Sequence, residues 1–278
     1  MKRFSRAWAK YGWTRYVFSL EVKKLLSYRV DFWTQFFGSV LTELGIAYFL
    51  WRSIFDSQGL TQIGGYSFKG LMLYYLLSPG VNRVVRGPDK FGAISGEIYE
   101  GGLNRYLVFP ISFFGYKYLA HFAGSLVSTF QLIITLAVFV GFFGIPPEAS
   151  FHLLSFMGGL IACYFASYLM FSLSAVLEFV AFWADNVWSL QVMLRFTASL
   201  LGGSLIPLVL FPAWSKPLLA ILPFQWLLSF PLRTLMGQVS FKEWCIGIAM
   251  TLIWSLVMSL ACRSVWRRGT LQYTGVGI

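Results

Sequence analysis

What most constrains this chain is a succession of apolar runs, each about twenty residues long and closed by charge, proline or glycine. Crossing the roughly 30 Å hydrocarbon layer of a bilayer takes about 20 helical residues. Six runs meet that length. They are Phe32–Phe55, closed by Asp56; Phe68–Val85, interrupted at Ser78-Pro79-Gly80; and Tyr118–Phe143, stopped by Gly144-Ile145-Pro146-Pro147. Phe151–Trp183 is long enough to tilt or to project beyond the lipid, and Leu194–Phe211 and Trp244–Cys262 follow. Only 12% of the 278 residues are charged, about half the usual share of a soluble domain. So few charges exclude a soluble enzyme, a disordered chain and a conventional nucleic-acid-binding domain. The fold class expected is an all-α integral membrane protein with six transmembrane helices.

The formal charge of +11 bears on orientation, because loops on the cytoplasmic side collect Lys and Arg. With six spans both termini share one side, and seventeen of the twenty-two cations fall there. Both termini are therefore expected in the cytoplasm, and the protein in the bacterial inner membrane. Residues 1–30 alternate cations (Lys2, Arg3, Arg6, Lys10, Arg15) with rings (Phe4, Trp8, Tyr11, Trp13, Tyr16). They read as an amphipathic segment lying in the inner interface rather than as a cleavable leader, which would need a compact apolar core. Residues 31–278 read as one six-span domain. Between spans five and six, Pro212, Pro217, Pro223 and Pro231 forbid a continuous helix. With the interface-seeking Trp214 and Trp226 they suggest a re-entrant hairpin buried against protein.

Catalytic and metal signatures do not occur. There is no Gly-x-x-x-x-Gly-Lys-Ser/Thr loop for nucleotide phosphates, no Gly-x-Ser-x-Gly elbow and no Cys-x-x-Cys. The two histidines, His121 and His152, have no acidic neighbour within a helical turn. No cofactor or metal is expected on this chain. Cys163, Cys245 and Cys262 lie in apolar stretches and read as small buried hydrophobes.

Ionisable residues inside spans are costly and call for a role. Glu43, near the middle of the first span, either faces a substrate path or is a protonated or paired packing residue. Glu178 and Asp185 read as lying at the inner end of span four, and Gln131 and Gln191 are weaker cases. Between spans two and three, Ile94–Leu107 places Tyr99, Leu103, Tyr106 and Leu107 on one partial helical face, with Glu97, Glu100, Asn104 and Arg105 opposite. A short amphipathic surface helix is expected there, either inert or gripped by a soluble partner.

Glu97-Ile98-Tyr99-Glu100-Gly101-Gly102-Leu103-Asn104-Arg105-Tyr106-Leu107-Val108-Phe109-Pro110 resembles the Ile-x-x-Gly-x-Leu-x-x-Tyr-Leu-x-x-Pro segment of type-2 ABC transporter permeases. Phe109 departs from the pattern, where a basic residue commonly precedes the proline. The hairpin, the ending Trp266–Tyr273, and the basic N-terminal segment with Tyr28–Phe32 are similar to that family's hairpin, tail and elbow helix.

The resemblance implies that Glu97, Ile98, Tyr99, Glu100, Leu103, Arg105 and Tyr106 form a coupling helix. That helix would transmit ATP hydrolysis from a separate P-loop ATPase, present in two copies, which would bind the ATP and Mg. It also implies a second permease, identical or related, and a substrate path between helices one, two and five. Glu43, Phe36, Tyr48 and Tyr75 would line that path and suit an amphipathic or lipid-like cargo for export. An ion-coupled secondary transporter using Glu43, a membrane-embedded lipid enzyme, and an ABC-type complex that signals or assembles envelope structures are the alternatives.

Overall fold

The computed structural model describes residues 2–27, 29–87, 92–108 and 112–273. Tyr28, Phe109 and Pro110 of the family-like segments lie outside the described residues, as do the side chains of residues 1–12. About four fifths of the described residues are helical, and none of them forms a strand. The helices run α1 (Lys2–Ser27), α2 (Arg29–Gln58), α3 (Phe68–Arg86), α4 (Ser95–Tyr99), α5 (Leu103–Val108) and α6 (Phe113–Phe143). After α7 (Leu153–Glu178) and a 3-10 turn at Phe179–Phe182 come α8 (Trp188–Leu201), α9 (Lys216–Ile221), α10 (Phe224–Leu227), α11 (Ser229–Leu235) and α12 (Phe241–Gly269).

Serine side chains set where three of the long helices begin. The Ser67 and Ser112 hydroxyls each accept an amide of the first turn, from Gly70 and Gly115, both at 3.1 Å. Each supplies a partner that the helix cannot provide internally. Ser240 and Glu243 cap α12 reciprocally, the Ser-x-x-Glu box. These caps move the starts of α6 and α12 upstream of the expected Tyr118 and Trp244.

Phe113–Phe143, Leu153–Phe182 and Phe241–Gly269 are long and apolar enough to cross a membrane. The pair Ala213–Ile221 and Phe224–Leu235, bent by 72°, makes a fourth if it counts as one broken span. Gln35 and Glu43 dilute the apolar run of α2, and Lys69, Asn82 and Arg83 that of α3. The expected fifth span, Leu194–Phe211, is not one helix. α8 has 14 residues, about 21 Å at 1.5 Å per residue, and stops at Gly202-Gly203.

The central core explains how such a break is tolerated. α3 is buried continuously from Gly70 to Val81, packed among α2, α6, α7 and α11. Its polar side chains must therefore find partners in protein. Tyr74 donates to the Gly203 carbonyl (2.6 Å) and Tyr75 to the Leu205 carbonyl (2.9 Å). Ser78 and Asn82 meet the Ser204 hydroxyl at 3.0 and 2.7 Å. Tyr74, Ser78 and Asn82 recur every four residues, so one stripe of α3 holds the chain where α8 has ended.

The Pro-rich stretch folds as a bend, with its residues in two environments. Pro212, Pro217 and Trp214 are exposed, while Pro223 and Pro231 are buried. Trp226 meets Phe230 edge-on, and α11 packs on α7. Cys163 and Cys262 are buried as expected, but Cys245 is exposed, on a face of α12 that stays exposed at Leu252 and Leu256.

Candidate functional site

A second, smaller core gathers at the end of the bundle where α3, α7 and α12 finish. Ile94, Ile98, Leu103, Phe113, Phe179, Val187 and Cys262 are buried together there, with Trp266 packed against them. The 94–108 segment is thus seated on the bundle. It is not the single helix expected. Gly101, at φ +71°, turns the chain between α4 and α5 in the left-handed region that glycine enters without strain.

Two carboxylates hold this segment. Glu178, 5% exposed at the end of α7, accepts the amides of Ile94 (2.6 Å) and Ser95 (2.9 Å) through Oε2. It caps α4 from another helix. Sequence reasoning placed Glu178 at this end, but no local pattern announces a cap from residue 178 to residue 95.

Glu97 is the second. Its carboxylate accepts from Arg105 Nη2 (2.7 and 2.8 Å), from Lys117 Nζ (2.8 Å) and from the Tyr106 hydroxyl (3.2 Å). It therefore ties α4 to α5 and to the first turns of α6. The two ion pairs differ in weight. Arg105 is 60% exposed, whereas Lys117 is 13% exposed. An exposed pair contributes little, so the Lys117 contact is the stronger link.

Burial alone would raise the Glu97 pKa, but Lys117 and Arg105 outweigh it and hold the carboxyl below its ordinary value of 4.5. Burial pushes the Tyr106 hydroxyl up to about 12, with Glu97 adding to the shift. A depressed carboxylate stabilises the fold above its unfolded pKa and loses that contribution as pH falls through the folded value. Amide protection over 94–108 is therefore expected to hold from pH 8 to about 5 and to fall below about 4.5. Hydrogen exchange against pH measures this, and Glu97→Gln should flatten the profile.

The expected coupling residues thus divide. Ile98 and Leu103 are 2% and 0% exposed, so they seat the segment on the bundle. Tyr99 is half-buried and donates to the Ala184 carbonyl at 3.0 Å. Glu100, Asn104, Arg105 and Val108 are exposed; Val108 is 84% exposed.

The expected substrate-path residues divide as well. A cavity of about 830 Å³ lies between α2, α3 and the α8 break, with Glu43 and Tyr75 in its lining. Phe36 is buried beneath the Arg83 guanidinium, 5.6 Å from its ring centroid. Tyr48 packs on Phe68, away from the cavity. The sequence reading missed a polar stripe at steps of four along α2 (Asp31, Gln35, Ser39 and Glu43), all of which line the cavity. Arg86, on the α3 side, donates to the Arg195 carbonyl (3.1 Å) and the Ser199 hydroxyl (2.6 Å). Other polar residues inside the bundle pair among themselves, as His121 with Ser167 (2.9 Å) and Gln191 with Ser174 (2.8 Å).

A family model described as "ABC-2 family transporter protein" matches residues 41–277. No curated protein and no solved structure matches the chain significantly.

Proposed function

This chain belongs to the ABC-2 transporter family, and from that premise we propose that it is the membrane-spanning subunit of an ATP-driven exporter of an amphipathic substrate. Permeases of this family generally work with an ATPase subunit. In this reading two copies of that subunit carry the ATP and Mg chemistry, and this chain pairs with a second permease, identical or related. α2, α3, α6, α7, α8 with the turn that follows it, and α12 supply six spans. α1 lies as an elbow in the inner interface, and the cation asymmetry puts both termini in the cytoplasm.

The observation that carries the reading is the seating of residues 94–108. A part that transmits motion must be stiff where it meets the bundle and open where it meets its partner. Glu178, Glu97, Ile98 and Leu103 supply the first property. Glu100, Asn104, Arg105 and Val108 supply the second. Nucleotide-driven approach of the ATPases would push on that face and move the bundle as rigid bodies.

The test is co-purification of the full chain with its P-loop ATPase and measurement of ATP hydrolysis. Val108→Asp combined with Arg105→Glu is expected to lower ATPase recovery at least tenfold. Trp214→Ala, at the opposite end, should leave it unchanged. Undiminished recovery with the double variant would remove the 94–108 segment as the docking surface.

A further inference from the structure

The cavity beside α2 is graded. Towards the end where α2 begins and α3 finishes, its lining is polar: Asp31, Gln35, Asn82, Arg83 and Arg86, with Glu21 and Lys24 of α1. Farther along α2 it becomes apolar, with Ile46, Ala47 and Leu50 facing Leu205. Glu43 stands where one lining gives way to the other.

The charged groups around it differ in how they are used. Asp31 accepts both of its contacts from Gln35, at 2.9 Å. Arg86 is spent on Arg195 and Ser199, and Arg83 lies over Phe36. Among the described residues no hydrogen bond to the Glu43 carboxylate is seen, and Arg86 acts on it through space. A carboxylate at the edge of an apolar lining is costly unless a donor or a cation meets it. The cavity thus offers a negatively charged acceptor beside an apolar slot, with its cations, Lys24, Arg83 and Arg86, at the polar end.

We propose that this cavity binds a cationic amphiphile, an alkylammonium whose N–H groups donate to Glu43 while its chain lies against Ile46, Ala47, Leu50 and Leu205. The head and Glu43 neutralise each other beside the apolar slot. The inference rests on the permease reading only in treating the bound molecule as cargo; the binding itself does not depend on it.

The experiment is saturation binding of radiolabelled dodecylammonium to the full chain in nanodiscs of zwitterionic lipid, with empty nanodiscs subtracted. Dodecyl sulfate and dodecanol serve as head-group comparisons. Dodecylammonium is expected to bind saturably, and the other two are not. Glu43→Gln should weaken binding at least tenfold and Glu43→Asp less, while Arg83→Gln should not weaken it. Ile46→Trp, at an exposed position on the cavity rim, should narrow the slot and weaken binding independently of charge, which covers a Glu43 variant that fails to fold.

Equal affinity in a folded Glu43→Gln protein would overturn the proposal, as would an absence of saturable amine binding. So would saturable dodecyl sulfate binding, whether lost with Arg83→Gln or with Lys24→Gln, since the cavity would then select an anion. Failed amine binding with ATPase docking intact refutes the substrate class alone. Failed docking with amine binding intact refutes the coupling reading alone.

Discussion

Glu178→Ala is expected to release the 94–108 segment while the helical bundle stays folded. The carboxylate takes two amides that have no helical acceptor, Ile94 and Ser95, and both residues are buried. A buried donor stripped of its acceptor costs about 1–3 kcal/mol, and here two are stripped at once. Since 1.4 kcal/mol is a factor of ten, amide exchange over residues 94–99 should accelerate at least tenfold. Thermal unfolding of the rest, held by the central core, should shift little. Glu178→Gln keeps an acceptor oxygen but not the charge, so an intermediate effect is expected. If residues 94–108 do pass ATPase motion to the bundle, Glu178→Ala should also abolish substrate-stimulated ATP hydrolysis while ATPase docking weakens less. Unchanged exchange in the alanine variant would show that side-chain packing, with Ile98 and Leu103, seats the segment without the cap.

Gly237→Ala is expected to be the most destabilising single-methyl change. Gly237 follows α11 at φ +71°, where an L-residue costs about 1–2 kcal/mol. An added Cβ would also run into the backbone carbonyl of Ser150. That carbonyl cannot swing away freely. Ser150 donates its amide to the Met236 carbonyl (2.9 Å) and its hydroxyl to the Gly237 carbonyl (3.1 Å), joining the start of α7 to the end of α11. Overpacking typically adds about 1–3 kcal/mol, so a total near 3 kcal/mol or more is expected. Gly45→Ala is the control. No atom lies within 4 Å of its added Cβ, in the middle of α2, so a gain of about 0.5–1 kcal/mol is expected from helix propensity. Midpoints of thermal unfolding in one detergent compare the two; equal midpoints would mean that the 150–237 contact yields to the methyl.

The long helices were legible where local chemistry suffices. α6, α7 and α12 carry unbroken apolar runs, and hydropathy depends on nothing beyond the run itself. Their starts were read less well: the apolar runs place α6 and α12 several residues late, and the Ser112 and Ser240 caps set where they begin. The break after α8 was not. Gly202-Gly203 is tolerated inside many membrane helices, and only the hydroxyls of Tyr74 and Tyr75, about 130 residues earlier in the chain, make an ended helix satisfactory there. On a helical wheel Glu97 looks like part of a solvated face. It is half-buried, because α6 brings Lys117 back onto it.

Residue order alone determined the membrane class, the family, the all-helical composition and the presence of a distinct element at residues 94–108. Each follows from interactions within a turn or two of helix, or from the solvent that an apolar run demands. Tertiary structure decided which members of that element are seats and which are surface, that Glu178 caps it, and that Glu43 rather than Phe36 or Tyr48 faces a cavity. Those outcomes depend on groups tens of residues apart meeting at hydrogen-bond distance. The packing of α3 against α2 and α8, and of α4 against the end of α7, is what brings them together.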